Sequence, residues 1–308
     1  MASAKQDFIK RLRTLDVSIR DTEALISRAH TDVTHNEIAR MLRNGLAVVG
    51  FAALEDFVKK RSSEVMNEIG GSGVPFSELP DKLKEAATYE VVSALSHQLT
   101  VRDKSERIDY IQEQAAKISS TATQQYEITE HAFGYSQSNI NAETVKKILI
   151  SLHVVDPWRQ ISAISSRLGL TALPLIDSYK NAATRRHRAA HVANADTPQG
   201  DIAQFVKEAF GIAIGFDVML SRSLRSIRNY DRDYLSGTKK LEENDVTFRY
   251  VKYVNRQWKE YSGESQRAFR VSNNVETLCN DAKIRSQASS QDFVRFDESG
   301  LIQDWACS

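Results

Sequence analysis

Cysteine is nearly missing from this chain: Cys279 and Cys307 are the two thiols in 308 residues. Two such positions cannot build a disulfide framework or a four-ligand zinc site, and they point to a reducing, cytoplasmic setting. Charge of one sign is lacking too. Lys and Arg total 41 against 40 Asp and Glu, a formal net charge of +1. A global attraction to nucleic acid is therefore excluded, and any anion binding must come from a local patch. No apolar run reaches the roughly twenty residues of a membrane span. The first residues read as an amphipathic helix, with no signal-peptide apolar core. Glycine-rich phosphate loops and nucleophile-elbow motifs are missing, which argues against kinases, NTPases and serine hydrolases. Repeats and low-complexity tracts are lacking as well. Five prolines and thirteen glycines leave few helix breakers, and 41% hydrophobic with 26% charged residues is a globular composition.

What the chain has instead is helical periodicity. Phe8, Leu12, Leu15, Ile19, Thr22 and Ile26 form a stripe that could pack along a partner. A second helix, capped at Asn36, carries Ile38, Met41, Leu42, Gly45, Leu46, Val49, Ala53 and Phe57 and ends near Gly70-Gly71. Gly45 and Gly50 inside it suggest close helix–helix approach. Pro80 opens a helix reaching Leu99, and Ile108, Ile111, Ala115 and Ile118 mark another. Residues 121–140 read as a loop. Asn141 caps a helix holding Val145, Ile148, Leu149 and Leu152. Asp156-Pro157 starts the next, which Gly169 stops, and Pro174 opens a further one. After a turn at 192–200, Thr197-Pro198 restarts a long helix whose buried face runs from Ile202 through Phe205, Phe216 and Leu224 to Ile227. Beyond Leu235–Lys240, a linker, the pattern alternates. Strands are expected in Val246–Val254 and Phe269–Asn273, a helix over Val275–Ile284, and a hairpin turning at Asp297–Gly300.

The chemistry-bearing stretch follows the amphipathic run from Leu173 to Ala183. It reads Arg185-Arg186-His187-Arg188-Ala189-Ala190-His191, three guanidiniums and two imidazoles with no carboxylate among them. A core helix cannot bury this much charge. Guanidiniums grip phosphate oxygens, and imidazole moves a proton near neutral pH. Taken singly, Arg185 and Arg188 are more often solvated charges than ligands. His187 stands evenly between a site residue and polar filler, and His191 favours function about two to one. His30, His35, His97, His131 and His153 lack a partner pattern and read as structural or surface residues.

Arg186-His187-x-x-x-His191 resembles the Arg-polar-x3-His signature of the HEPN superfamily, small all-helical domains that include many metal-independent ribonucleases. The run Asn44–Val58, with its Leu54-Glu55 pair, is similar to the family's early helix, and a long apolar helix follows the motif as it does there. Glu55 and Asp56 are assigned no chemistry; structure explains their segment. The resemblance covers roughly residues 1–230. It implies a mainly α fold, a HEPN-like helical bundle over residues 1–232; the alternating pattern beyond it adds a small C-terminal α+β appendage over 240–308. The resemblance also implies that His191 is the catalytic histidine and Arg186 the catalytic arginine. His187, at the polar position, would orient the site or contact phosphate. Arg185, six positions before His191, also fits the looser Arg-x4-6-His pattern; Arg186 is preferred. Arg185 and Arg188 would otherwise steer RNA.

The expected partners are RNA and a second copy of the chain facing the first across one cleft. No metal, cofactor or membrane is expected. By analogy the setting is a toxin or phage-defence effector, with an antitoxin or regulatory protein as a further partner. The competing readings are a non-catalytic helical module that binds RNA or a protein, and a dimerisation subunit built on the heptad-like first helix.

Overall fold

The computed structural model describes residues 3–133, 140–171 and 174–308. Leu173, where the amphipathic run begins, and residues 134–139 of the expected loop lie outside the described residues.

The fold is built around α9 (Gln199–Arg228). Its central turns, from Ala209 to Leu220, are buried on every side, as a helix hydrophobic all round must be. Two glycines make that enclosure sterically feasible. A Cβ at Gly215 would sit 3.0 Å from the Ile161 Cα, and one at Gly211 would meet Ser165. Through them α7 (Pro157–Arg167) lies close against α9. On another side is α2 (Val33–Gly70), and α1 (Ala4–Asp21) fills the groove between α2 and α9. Phe8 of α1 packs its ring at a tilt on Phe57 of α2, centres 4.8 Å apart, and edge-on to Phe210 of α9 at 5.6 Å.

Phe8, Leu12, Leu15 and Ile19 are therefore spent inside the chain. This corrects the expectation that the first helix packs along a partner, and with it the dimerisation reading resting on that helix. Of the stripe, Ile26 stays open, at 53% exposure. The second helix begins earlier than expected. Asp32 caps it, accepting from the His35 N–H at 3.4 Å, whereas the Asn36 side chain reaches back to Arg28 and Ala29. The apolar stripe of α2 also divides. Ala53 and Phe57 are core, but Ile38, Met41, Leu42 and Val49 are exposed. Gly45 has open space where a Cβ would be, while a Cβ at Gly50 would lie 2.8 Å from Leu15 and 3.2 Å from Phe205. Close approach thus explains Gly50 and not Gly45.

The single helix expected from Pro80 to Leu99 is two, α3 (Asp81–Ala87) and α4 (Val91–Val101), parted at Thr88–Glu90. After α5 (Arg107–Ser120) comes α6 (Ala142–Ser151), capped as expected by Asn141, which accepts from the Thr144 N–H at 2.8 Å. Gly169, at φ +72°, follows the end of α7, a left-handed position that glycine adopts freely. Next are α8 (Leu175–His191), α9 and a short α10 (Arg232–Leu235) that ends where the expected linker begins.

The last residues form a five-stranded sheet of order β3-β2-β1-β4-β5. Its strands are β1 (Phe248–Val254), β2 (Gln257–Ser262), β3 (Arg270–Ser272), β4 (Asp292–Phe296) and β5 (Ile302–Ala306). β2 is a strand that the sequence pattern does not mark, because Gln-Trp-Lys-Glu-Tyr-Ser lacks an apolar alternation. β1 and β4 are parallel, joined through α11 (Val275–Ala288), as parallel pairing requires. One sheet face packs Val251 and Phe293 on Leu278, Cys279 and Ala282 of α11. The other turns Phe248, Val294, Phe296 and Trp305 into the helical core.

A candidate functional site on helix α8

Leu175, Ser178, Tyr179 and Ala182 bury one face of α8. Tyr179 is its anchor: the ring meets Phe51 of α2 at 5.3 Å, and its hydroxyl donates to the Ile140 carbonyl at 2.7 Å. Burial pushes the phenol's pKa well up, so it stays neutral. The helix carries Asp177 in its first turn and Arg188 and His191 in its last, matching the sign of the backbone dipole at each end.

Where α8 stops, α2 holds the chain. Arg43, 5% exposed, donates to Asp196 at 2.7 Å, to the Thr197 carbonyl at 3.1 Å and to the Leu25 carbonyl at 2.8 Å. Asn44 beside it donates to the Ala195 carbonyl at 2.7 Å and accepts from the Thr197 N–H at 3.1 Å. The turn after His191 is thus tied at three successive residues. Sequence reading passed over both side chains, Arg43 being hidden between Leu42 and Asn44 on an apparently solvated edge.

The site residues sort into two groups. His187, Arg188 and His191 are exposed. The two imidazoles share one face, their ring centres 4.8 Å apart, as residues four apart on a helix do. Arg188 and His191 have no ion pair or side-chain hydrogen bond among the described residues. Arg185 and Arg186, by contrast, are half-buried. Arg185 turns to Asp201 at the start of α9, 3.7 Å away. Arg186 lies on the side of Tyr179 and Ala182, and its charge acts on Glu55 of α2. Arg186 and His191, five residues apart, are about 140° apart around the helix axis, so within one chain they diverge.

Glu55 is the residue that the sequence reading set aside. It is 6% exposed, and its Oε1 accepts the Ile140 N–H at 2.8 Å. Desolvation raises its pKa; the Ile140 hydrogen bond and the charges of Arg186 and Lys59 pull it back. One carboxylate thereby couples α2, the strand of chain before α6, and the motif arginine. The available signal was the charge itself: a Glu one residue after Leu54, on the buried side of an amphipathic helix, needs a partner. Among the described residues no group of three or more His, Cys, Asp and Glu side chains could hold a metal ion.

The model of the RiboL-PSP-HEPN family matches residues 13–222, more than half of the chain. The protein belongs to the RiboL-PSP-HEPN family. No curated protein and no solved structure matches it. The matched span runs from within α1 to late in α9 and includes α8 with its whole basic segment. The helical frame expected of a HEPN domain is thus the one observed, with the small C-terminal sheet beyond the matched residues. No described helix is long and apolar enough to cross a membrane.

Proposed function

We propose that this HEPN protein is an endoribonuclease that cleaves RNA through the substrate's own 2′-hydroxyl and needs no metal. The observation that carries the reading is the exposed His187–His191 pair, flanked by guanidiniums, at the pinned end of α8 in a HEPN chain. RNA needs a base for the 2′-hydroxyl, an acid for the 5′-oxygen and positive charge on the phosphorane. His191 moves the proton, Arg186 grips phosphate oxygens, and His187 orients the phosphate. Arg188 draws the RNA in, with Arg185 contributing once freed from Asp201. The products are a 2′,3′-cyclic phosphate and a 5′-hydroxyl.

A second copy of the chain completes the site. Two features support this: Arg186 and His191 diverge on one helix, and α2, packed on α8, leaves Ile38, Met41, Leu42 and Val49 open to solvent. A two-fold axis along that stripe would bring each His191 toward the partner's motif and cover the apolar side chains. The biological setting we infer by analogy is a toxin or phage-defence effector restrained by an antitoxin or regulatory protein.

The test is RNA cleavage in the presence of a chelator by wild type, His191→Ala, Arg186→Ala and His187→Ala. Wild type should cleave and leave the stated end groups. Loss of His191 or Arg186 should slow cleavage by roughly 10²–10⁴-fold, and loss of His187 by less. Equal cleavage by all four, or cleavage abolished by the chelator, overturns the proposal. The inward position of Arg186 favours one alternative, a non-catalytic module that binds RNA. RNA binding without cleavage by wild type decides for it.

A further inference from the structure

A second cationic recess lies at the other end of the molecule. α9 runs for 30 residues from just after the motif, about 45 Å at 1.5 Å per residue, and Arg232 follows its far end. There residues 77–84, 150–155 and 232–240 border an open cleft of about 900 Å³. Four cations line it, Lys82, Lys84, Arg232 and Lys240, against two carboxylates, Glu78 and Asp81. The carboxylates are already engaged. Asp81 pairs with Lys84 at 2.9 Å, and Glu78 takes the Tyr230 hydroxyl. Lys82, Arg232 and Lys240 have no ion pair among the described residues.

His153 sits among them in an unusual setting. Its φ is +57°, a conformation that costs a non-glycine residue free energy. Two backbone bonds to Leu241 hold it there: the Leu241 N–H donates to the His153 carbonyl at 3.0 Å, and the Val155 N–H to the Leu241 carbonyl at 3.1 Å. The ring stands edge-on to Tyr234 at 5.5 Å, and a Cβ at Gly237 would come within 3.1 Å of its Cε1. Nε2 is buried with no hydrogen-bond partner. Desolvation and the nearby charges of Lys240 and Lys82 lower the imidazole's pKa, while the Leu235 carbonyl and Asp81 oppose them.

We infer that this cleft binds a phosphate group, with Lys82, Arg232 and Lys240 neutralising it beside the His153 ring. The surplus of two positive charges matches a phosphate dianion, and cations from three chain segments can reach different oxygens. The volume falls in the range of small-molecule sites, so the phosphate can belong to a small ligand; an RNA backbone carries the same chemistry.

The experiment follows the histidine ring NMR signals of the full chain during titration with inorganic phosphate and, separately, with single-stranded RNA. His153→Asn assigns the signal, because asparagine tolerates a positive φ. Phosphate should shift the His153 signal saturably, and the Lys82→Glu/Lys240→Glu pair should raise the Kd by roughly tenfold or more. Both lysines are on the surface, so the fold should survive their reversal. Response to phosphate and not to RNA assigns a small ligand; response to both, with RNA the tighter, assigns the RNA backbone. A phosphate shift that never saturates, a response to RNA alone, or a Kd unchanged in the double variant overturns the proposal. None of these readings depends on cleavage at His191.

Discussion

Glu55 and Arg186 are the two residues whose environments decide what the site can do. Glu55 accepts a backbone N–H inside the core, and desolvation raises its pKa. A carboxyl with a folded pKa above its unfolded value stabilises the fold fully below the unfolded value, and this contribution is lost as pH rises through the folded pKa. Glu55→Gln keeps an oxygen for the Ile140 N–H and removes the charge. Its melting temperature should therefore gain on that of wild type as pH rises from about 4 to neutrality. If Glu55 positions Arg186, RNA cleavage should fall by about tenfold, the loss expected when a catalytic group is slightly misplaced. Unchanged cleavage in a stable Glu55→Gln protein would mean that Arg186 is positioned without it.

At the scale of elements, α2 and α8 act together. α8 carries the proposed site, and α2 supplies its floor through Phe51, its coupling through Glu55 and its stop through Arg43 and Asn44. The remaining surface of α2 is the apolar stripe. Leu42→Glu with Val49→Glu changes two exposed side chains, so the melting temperature should move little. Sedimentation should nonetheless show a shift toward monomer, and cleavage should fall with it. A double variant that stays dimeric would place the two-fold contact elsewhere. This element also marks where periodicity stops being informative. Spacing identifies a face as apolar, but Ile38 and Phe57 share a stripe and end in different places. One faces solvent and the other lies under Phe8 and Trp305.

For the whole molecule, the sheet and the bundle are joined at a buried charge. Asp217 of α9, 4% exposed, accepts from Arg61 at 2.6 Å and from the Trp305 indole N–H at 2.7 Å. Trp305→Phe removes that indole donor while keeping an aromatic ring. It should cost about 1–3 kcal/mol, read as a melting temperature lower by several degrees. A melting temperature equal to wild type would show that the indole hydrogen bond contributes nothing to joining sheet and bundle.

Composition and periodicity alone settled the helical class, most helix starts and the long buried α9, because these depend on local spacing, caps and the near-absence of breakers. They also singled out the segment Arg185–His191, whose residue types are costly to bury together, and the HEPN resemblance picked Arg186, His187 and His191 from it. Tertiary structure decided what those residues face. It turned Arg186 inward toward Glu55, left the two imidazoles open, buried the stripe of α1 and exposed half of that of α2. It also lodged His153, a residue read as structural or surface, in a charged cleft. Each outcome depends on partners distant in sequence, and burial and electrostatic coupling exist only once those partners meet.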